Sequence, residues 1–271
     1  MALKDITLGQ YFPGDTILHR LDPRTKILMV VFYIVALFMA KNAFGYALMA
    51  VVLLVGIQVS RVGFKAIRRG MKPVYIIIVF TAVLNVLYTP GQGEPLVRFW
   101  IFTIYWEGIR TAIFMVLRIT MLISCTFLLT YTTSPIMLTD ALERLLGPLK
   151  KIKVPVHEVA MMMSIALRFI PILIEETDKI MAAQKARGAD FETGNLIQKA
   201  KALIPLLVPL FISAFRRADE LAVAMECRCY HGGEGRTRLR QLKYQGRDIF
   251  ALCLGFALCV GVFLLNRLGV F

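Results

Sequence analysis

Acidic side chains are missing from the apolar stretches of this chain. Its 18 Asp and Glu fall as three in residues 1–26, Glu94 and Glu107 in one loop, and 13 in residues 133–248. Ion-coupled carriers generally need a carboxylate within the membrane or a broken-helix ion site, which disfavours a proton- or sodium-driven carrier. No Gly-x-x-x-x-Gly-Lys-Ser/Thr loop occurs either, so the chain has no phosphate cradle with which to hydrolyse ATP itself. A nucleophile elbow, a metalloprotease helix motif and paired zinc cysteines are absent as well. The five cysteines, Cys125, Cys227, Cys229, Cys253 and Cys259, form no disulfide ladder, and Cys227 and Cys229 fit a reducing cytoplasm. Met1 to Lys26 lacks the apolar core and small-residue cleavage site of a signal peptide, so no processing is expected.

What is present is oil and positive charge. Of 271 residues, 58 % are apolar and the mean hydropathy is +0.66. Soluble domains hold roughly 45–50 % apolar residues, so the composition is that of a polytopic membrane protein in a lipid bilayer. The formal charge of +14 raises nucleic-acid binding first. The cations, however, gather between the apolar runs, as on the basic rim of a membrane protein, and no nucleic-acid partner is expected.

Five apolar runs read as membrane spans: Ile27–Ala40, Ala43–Val59, Pro73–Tyr88 with proline as first helical residue, Gly108–Thr130 and Ile249–Leu265. The first two fall short of the ~20 residues that cross ~30 Å of hydrocarbon, and Lys26 and Lys41 extend the first by snorkelling. A re-entrant hairpin is the competing reading of that pair. Thr89-Pro90-Gly91-Gln92-Gly93 breaks the third run, and Trp100, Tyr105 and Trp106 then mark a membrane boundary. Lys and Arg number 4 in residues 1–26, 5 in the 61–72 loop and 18 in residues 133–247, which is 27 of the 32 in the chain. That bias places the N-terminus and the large polar region in the cytoplasm. Among polar residues deep in the spans, Asn85 and Arg118 read as interhelical hydrogen bonders ahead of substrate ligands.

Three segments follow: residues 1–132 with four spans, a coupling region 133–247, and the last span in 248–271. Ser134-Pro135 opens a short interfacial amphipathic helix with Leu138, Leu142, Leu145, Leu146 and Leu149 on one face. Pro155 opens a long helix to about Arg187, with Gly188 placed for a left-handed cap. Another runs from about Asn195 to Tyr230, with Pro205 and Pro209 expected to bend it. The fold class is therefore all-α integral membrane, with about five spans plus a coupling region of one short amphipathic and two long crossing helices.

The two long helices end alike, in Ala182-Ala183-Gln184-Lys185-Ala186-Arg187-Gly188 and in Ala224-Met225-Glu226-Cys227-Arg228-Cys229-Tyr230. A helix dipole favours a C-terminal arginine by only ~0.3–1 kcal/mol, which leaves the small neighbours unexplained. Small residues let a helix end approach another backbone while its arginine reaches a carboxylate. Both readings stand on pattern alone. Cys227, Cys229 and His231 invite a metal, but residues two apart on a helix face apart and no second cluster completes a shell. Met161-Met162-Met163, continuing through Ala166, Phe169 and Ile170, is either plain core or a repacking partner surface.

The chain resembles the transmembrane T component of energy-coupling factor (ECF) transporters. The resemblance rests on Gly9-Gln10-Tyr11-Phe12-Pro13-Gly14-Asp15-Thr16 with His19-Arg20-Leu21-Asp22-Pro23-Arg24-Thr25-Lys26, on Ala182–Gly188 and on Met225–Tyr230. Cys227 and Cys229 depart from the small Ala and Gly that usually flank the second arginine. The resemblance implies that Ala186, Arg187, Gly188, Cys227, Arg228 and Cys229 dock two ATP-binding-cassette ATPase subunits, which would bind the ATP. It implies a separate substrate-binding membrane S component, with Met161–Met163, Ala166, Phe169 and Ile170 as its expected contact surface. No cofactor or metal is expected in this chain, which would act as a non-enzymatic transducer of vitamin or metal-ion import in a bacterial or archaeal cell membrane. The alternatives are a self-contained channel or carrier, an anchor that only recruits soluble proteins, and the T component of a dedicated cobalt or nickel importer.

Overall fold

The computed structural model describes residues 11–89, 97–99, 102–191, 195–232 and 242–267. Gly9, Gln10, the Pro90–Gly93 breaker, Trp100, Gly233 and the basic Arg236, Arg238 and Arg240 lie outside them. The described helices are α1 Pro23–Met39, α2 Ala43–Ser60, α3 Phe64–Tyr88, α4 Trp106–Thr132, α5 Pro135–Leu145, α6 Val156–Ala186, α7 Leu196–Glu226 and α8 Gly246–Arg267. Between α3 and α4 lies a two-stranded antiparallel hairpin, β1 Val97–Phe99 and β2 Phe102–Ile104, which the sequence reading did not foresee. The protein is an all-α multi-pass membrane protein carrying this one small hairpin among its described residues.

Five described helices are long and apolar enough to cross a membrane, α2, α3, α4, α6 and α8. The number matches expectation but the membership differs. α1 has only 17 residues, too few for that criterion. α6 meets it through its apolar first half, although Glu175, Glu176, Asp178, Lys179 and Lys185 crowd the second.

The described residues form two compact units, one within Leu142–Gln241 and one within Gly9–Ala141 together with Leu242–Phe271. The second holds the apolar core. Tyr46, Met49, Leu53 and Ile57 of α2, and Met121, Cys125, Leu128 and Tyr131 of α4, recur at helical spacing and are buried with Ala36 and Leu37 of α1. A Cβ on Gly255 would sit 2.8 Å from Met29 Sδ, so the missing side chain sets how closely α8 lies on α1. Lipid tails are as apolar as leucine, so such close approach and interhelical hydrogen bonds carry more of the association than burial does. Arg118 donates to the Tyr46 hydroxyl from Nε at 2.9 Å, joining α4 to α2. Asn85 donates to Thr81 O and reaches Met115 Sδ, both at 2.9 Å, joining α3 to α4. Both are structural hydrogen bonders.

α3 begins nine residues before Pro73, at Phe64. Ile67, Met71 and Ile78 fall on one face and are buried, which makes the extra turns worth forming. Lys65, Arg68, Arg69 and Lys72 stay exposed on the other side. Proline inside the helix removes one hydrogen bond, a cost the packed face offsets. Along α5 and the turn after it, Leu142, Leu146 and Leu149 are exposed, as on a helix lying at an interface, and Thr139 and Ala141 are the buried residues of the helix.

The His19–Lys26 stretch proves to be a clamp. Asp22 caps α1 by accepting from Arg24 N at 2.9 Å and pairs with the Arg24 guanidinium at 2.8 Å. Asp248, 2 % exposed, accepts from Asp22 N and from Gln245 N, both at 2.8 Å, and so closes the start of α8 on the start of α1. Lys26 Nζ donates to Thr132 O at 2.8 Å and Thr133 Oγ1 at 3.2 Å, tying in the end of α4. Replacing Asp248 by Ala leaves the buried Asp22 N–H without an acceptor, at roughly 1–3 kcal/mol, and frees the more exposed Gln245 N–H to water. Thermal unfolding in detergent should therefore show a clear loss of Tm for D248A and a smaller one for D248N, which keeps one acceptor oxygen. Equal melting of all three proteins would refute the clamp.

Candidate functional site at the ends of two antiparallel helices

Both expected helix ends form, and by the same construction. After α6, Gly188 N donates to Lys185 O at 3.0 Å and Ala189 N to Gln184 O at 3.0 Å. After α7, Cys229 N donates to Glu226 O at 2.9 Å and Tyr230 N to Met225 O at 3.1 Å. Each is a Schellman closure, in which the last carbonyls are satisfied by backbone alone. Every residue from 184 to 189 thus has its counterpart 41 positions on. Arg187 and Arg228 occupy the same capping position, and both are exposed, as are Ala186, Gly188, Cys227 and Cys229.

The left-handed residue is where the two differ. Gly188 adopts it at φ +90°, whereas Cys229 adopts it at φ +54°. A side chain in that region costs roughly 1–2 kcal/mol. His231 Nδ1 lies 2.8 Å from Cys229 O, a local contact that helps hold the strained turn.

α6 and α7 run antiparallel. Glu176 accepts from Ser213 Oγ at 2.5 Å and pairs with Arg217 Nη2 at 2.8 Å. Arg187 lies 11 residues beyond Glu176, and Arg228 lies 11 beyond Arg217. At about 1.5 Å per residue, each arginine stands roughly 16 Å from this pin along its own helix, in opposite directions. The two arginines are therefore not brought together; they tip opposite arms of one hairpin. Pro205 and Pro209 sit inside α7, which remains one helix from a capping box at Asn195 and Gln198.

A groove of about 610 Å³ lies between the beginning of α6 and the end of α7, lined by Met161, Ser164, Arg168, Met225, Arg228 and His231 among others. The expected methionine surface divides. Met161 faces this groove, and Phe169 lines the neighbouring space against Ala218 and Leu221. Met162, Met163 and Ala166 point outward, and Ile170 is half-buried. No group of three or more His, Cys, Asp and Glu suited to a metal ion occurs among the described residues.

Residues 14–239 match the family model described as cobalt transport protein, CbiQ. Energy-coupling factor transporter transmembrane protein EcfT of Clostridium kluyveri is 57 % identical over 261 residues, covering 96 % of this chain and 97 % of the relative. The proteins of that name from Thermosediminibacter oceani and Bacillus subtilis are 53 % and 49 % identical, over 96 % and 91 % of this chain and 97 % and 92 % of their own. The chain belongs to the EcfT family. Its relatives carry the name of a transporter's transmembrane component, and EcfT membership goes with a multi-subunit transport complex.

Two further features of this EcfT-family chain escaped the sequence reading. The clamping role of Asp22 and Lys26 needs partners more than 100 residues away, which no local pattern signals. Arg168 enters the groove beside Arg228 only because α6 and α7 pair antiparallel. The strain at Cys229 makes a direct test. C229G should stabilise the end of α7 by roughly 1 kcal/mol, and G188A should destabilise the end of α6 by a similar amount. Amide hydrogen exchange at Tyr230 and Ala189 should slow in the first variant and quicken in the second.

Proposed function

We propose that the chain is the non-catalytic coupling subunit of an ATP-driven importer of a vitamin or metal ion. Two ATP-binding-cassette ATPase subunits would bind the ATP and dock on the two capped helix ends, one at Ala186-Arg187-Gly188 and one at Cys227-Arg228-Cys229. A substrate-binding S component packs against α6, with Met162, Met163 and Ala166 as its outward contacts. The N-terminus and the α6–α7 pair face the cytoplasm of a bacterial or archaeal cell, in keeping with the bias of Lys and Arg.

One observation carries the reading: both arginines stand exposed at the same position of two matching backbone closures. A helix end capped by its own backbone does not need its arginine for capping. The guanidinium is then available for a bidentate bond to a partner's carboxylate. The match to the family described as cobalt transport protein keeps a dedicated cobalt or nickel importer as the second reading of the cargo.

Reversal of charge at either tip should abolish uptake. Cells carrying R187E or R228E are expected to lose accumulation of the transported micronutrient at least tenfold, and tagged R187E or R228E protein should no longer co-purify one ATPase subunit. Full uptake and full co-purification in both variants would overturn the reading, as would substrate flux through the purified chain reconstituted alone.

A further inference from the structure

The two docking tips share a backbone but not an electrostatic setting. Beside Arg228, the groove between α6 and α7 is lined by Arg168, Arg228 and His231, and among the described residues no carboxylate lines it. Arg168 and Arg228 are both exposed, and among the described residues neither has a carboxylate within ion-pair distance. The hollow beside the Glu176–Arg217 contact, 11 residues short of Arg187, is different. Glu175, Glu176, Lys179 and Arg217 line it, so its charges are mixed. Glu176 is already committed to Arg217 and Ser213 there.

We propose that the Arg168–Arg228 groove receives an acidic segment of one ATPase subunit, with Arg168 as the residue that distinguishes that subunit from the other. The proposal rests on the docking function above and adds to it a second cation at one of the two tips. Two guanidinium groups on facing helices can hold carboxylates on one segment from both sides. The hollow on the other side of the hairpin offers no second free guanidinium, because its Arg217 is held by Glu176. Complementary charge of this kind selects a partner as well as holding it. The apolar floor of Met161 and Met225 would exclude water around the pairs, strengthening them relative to a bare surface contact.

The test uses the full-length chain in lipid nanodiscs and the two ATP-binding-cassette subunits that co-purify with it from native membranes, each supplied separately. R168Q should weaken binding of one subunit about tenfold and flatten its dependence on salt, while the other binds as before. R168K should restore most of the affinity. A photo-crosslinker at Ser164 should mark an Asp- or Glu-rich segment of the weakened subunit. Unchanged affinity and salt dependence of both subunits toward R168Q, or a Ser164 adduct to a second copy of the chain, would overturn the proposal. In that case R228E still decides the docking function by itself: if it releases a subunit, only the role of Arg168 falls.

Discussion

The constraint on which the rest depends is that a helix must dispose of its last carbonyls. Both long helices of the polar region do so with a left-handed residue and two backbone hydrogen bonds, Gly188 and Ala189 after α6, Cys229 and Tyr230 after α7. Side-chain capping would have occupied the arginine. Backbone capping leaves it at the tip, where the helix dipole favours a cation by about 0.3–1 kcal/mol. The dipole thus holds the charge at the end of a rigid rod without consuming its hydrogen bonds. That α7 accepts a cysteine in the strained position indicates that keeping the closure matters more to this chain than relieving a kilocalorie of strain.

The membrane-side bundle solves a different problem. Hydrocarbon surroundings give helices little reason to associate, so polar contacts have to specify which helices meet. Arg118 with Tyr46, Tyr33 with Met49 O at 3.1 Å, and the clamp of Asp22, Lys26 and Asp248 each join residues from different helices. The clamp reaches across more than 220 residues of sequence, from the start of the first helix to the start of the last. It ties α8 to a bundle whose other helices come from the first half of the chain. Its acids and lysine sit at helix ends, so each apolar run stays free of carboxylates, as the composition required.

Local chemistry was legible in the sequence. Ser134-Pro135 and Arg187-Gly188 mark helix ends because a cap, a fixed φ or a left-handed residue acts within four positions, whereas α1 begins at Pro23, four residues before the apolar run at Ile27. The start of α3 was not legible, because the packing of Ile67 and Met71 outweighs the break that Pro73 implies. The resemblance carried by the arginine motifs led to the EcfT family, while the groove beside Arg228 depends on the pairing of α6 with α7 and appears only in three dimensions.

That pairing also sets the mechanical character of the site. The Glu176–Arg217 contact is partly exposed, so solvent screens it and it adds little to stability. Its position is more telling than its strength. It pins the hairpin 11 residues short of each arginine, which gives two arms of roughly 16 Å. A rotation of about 10° at the pin would move each tip by roughly 3 Å, comparable to a hydrogen-bond length, and by the same amount at both ends. On the proposed function, unequal arms would deliver unequal strokes to two partners, whereas equal arms would share one motion between them. A weak pin would then suit such coupling, because a contact worth several kilocalories would resist the rotation.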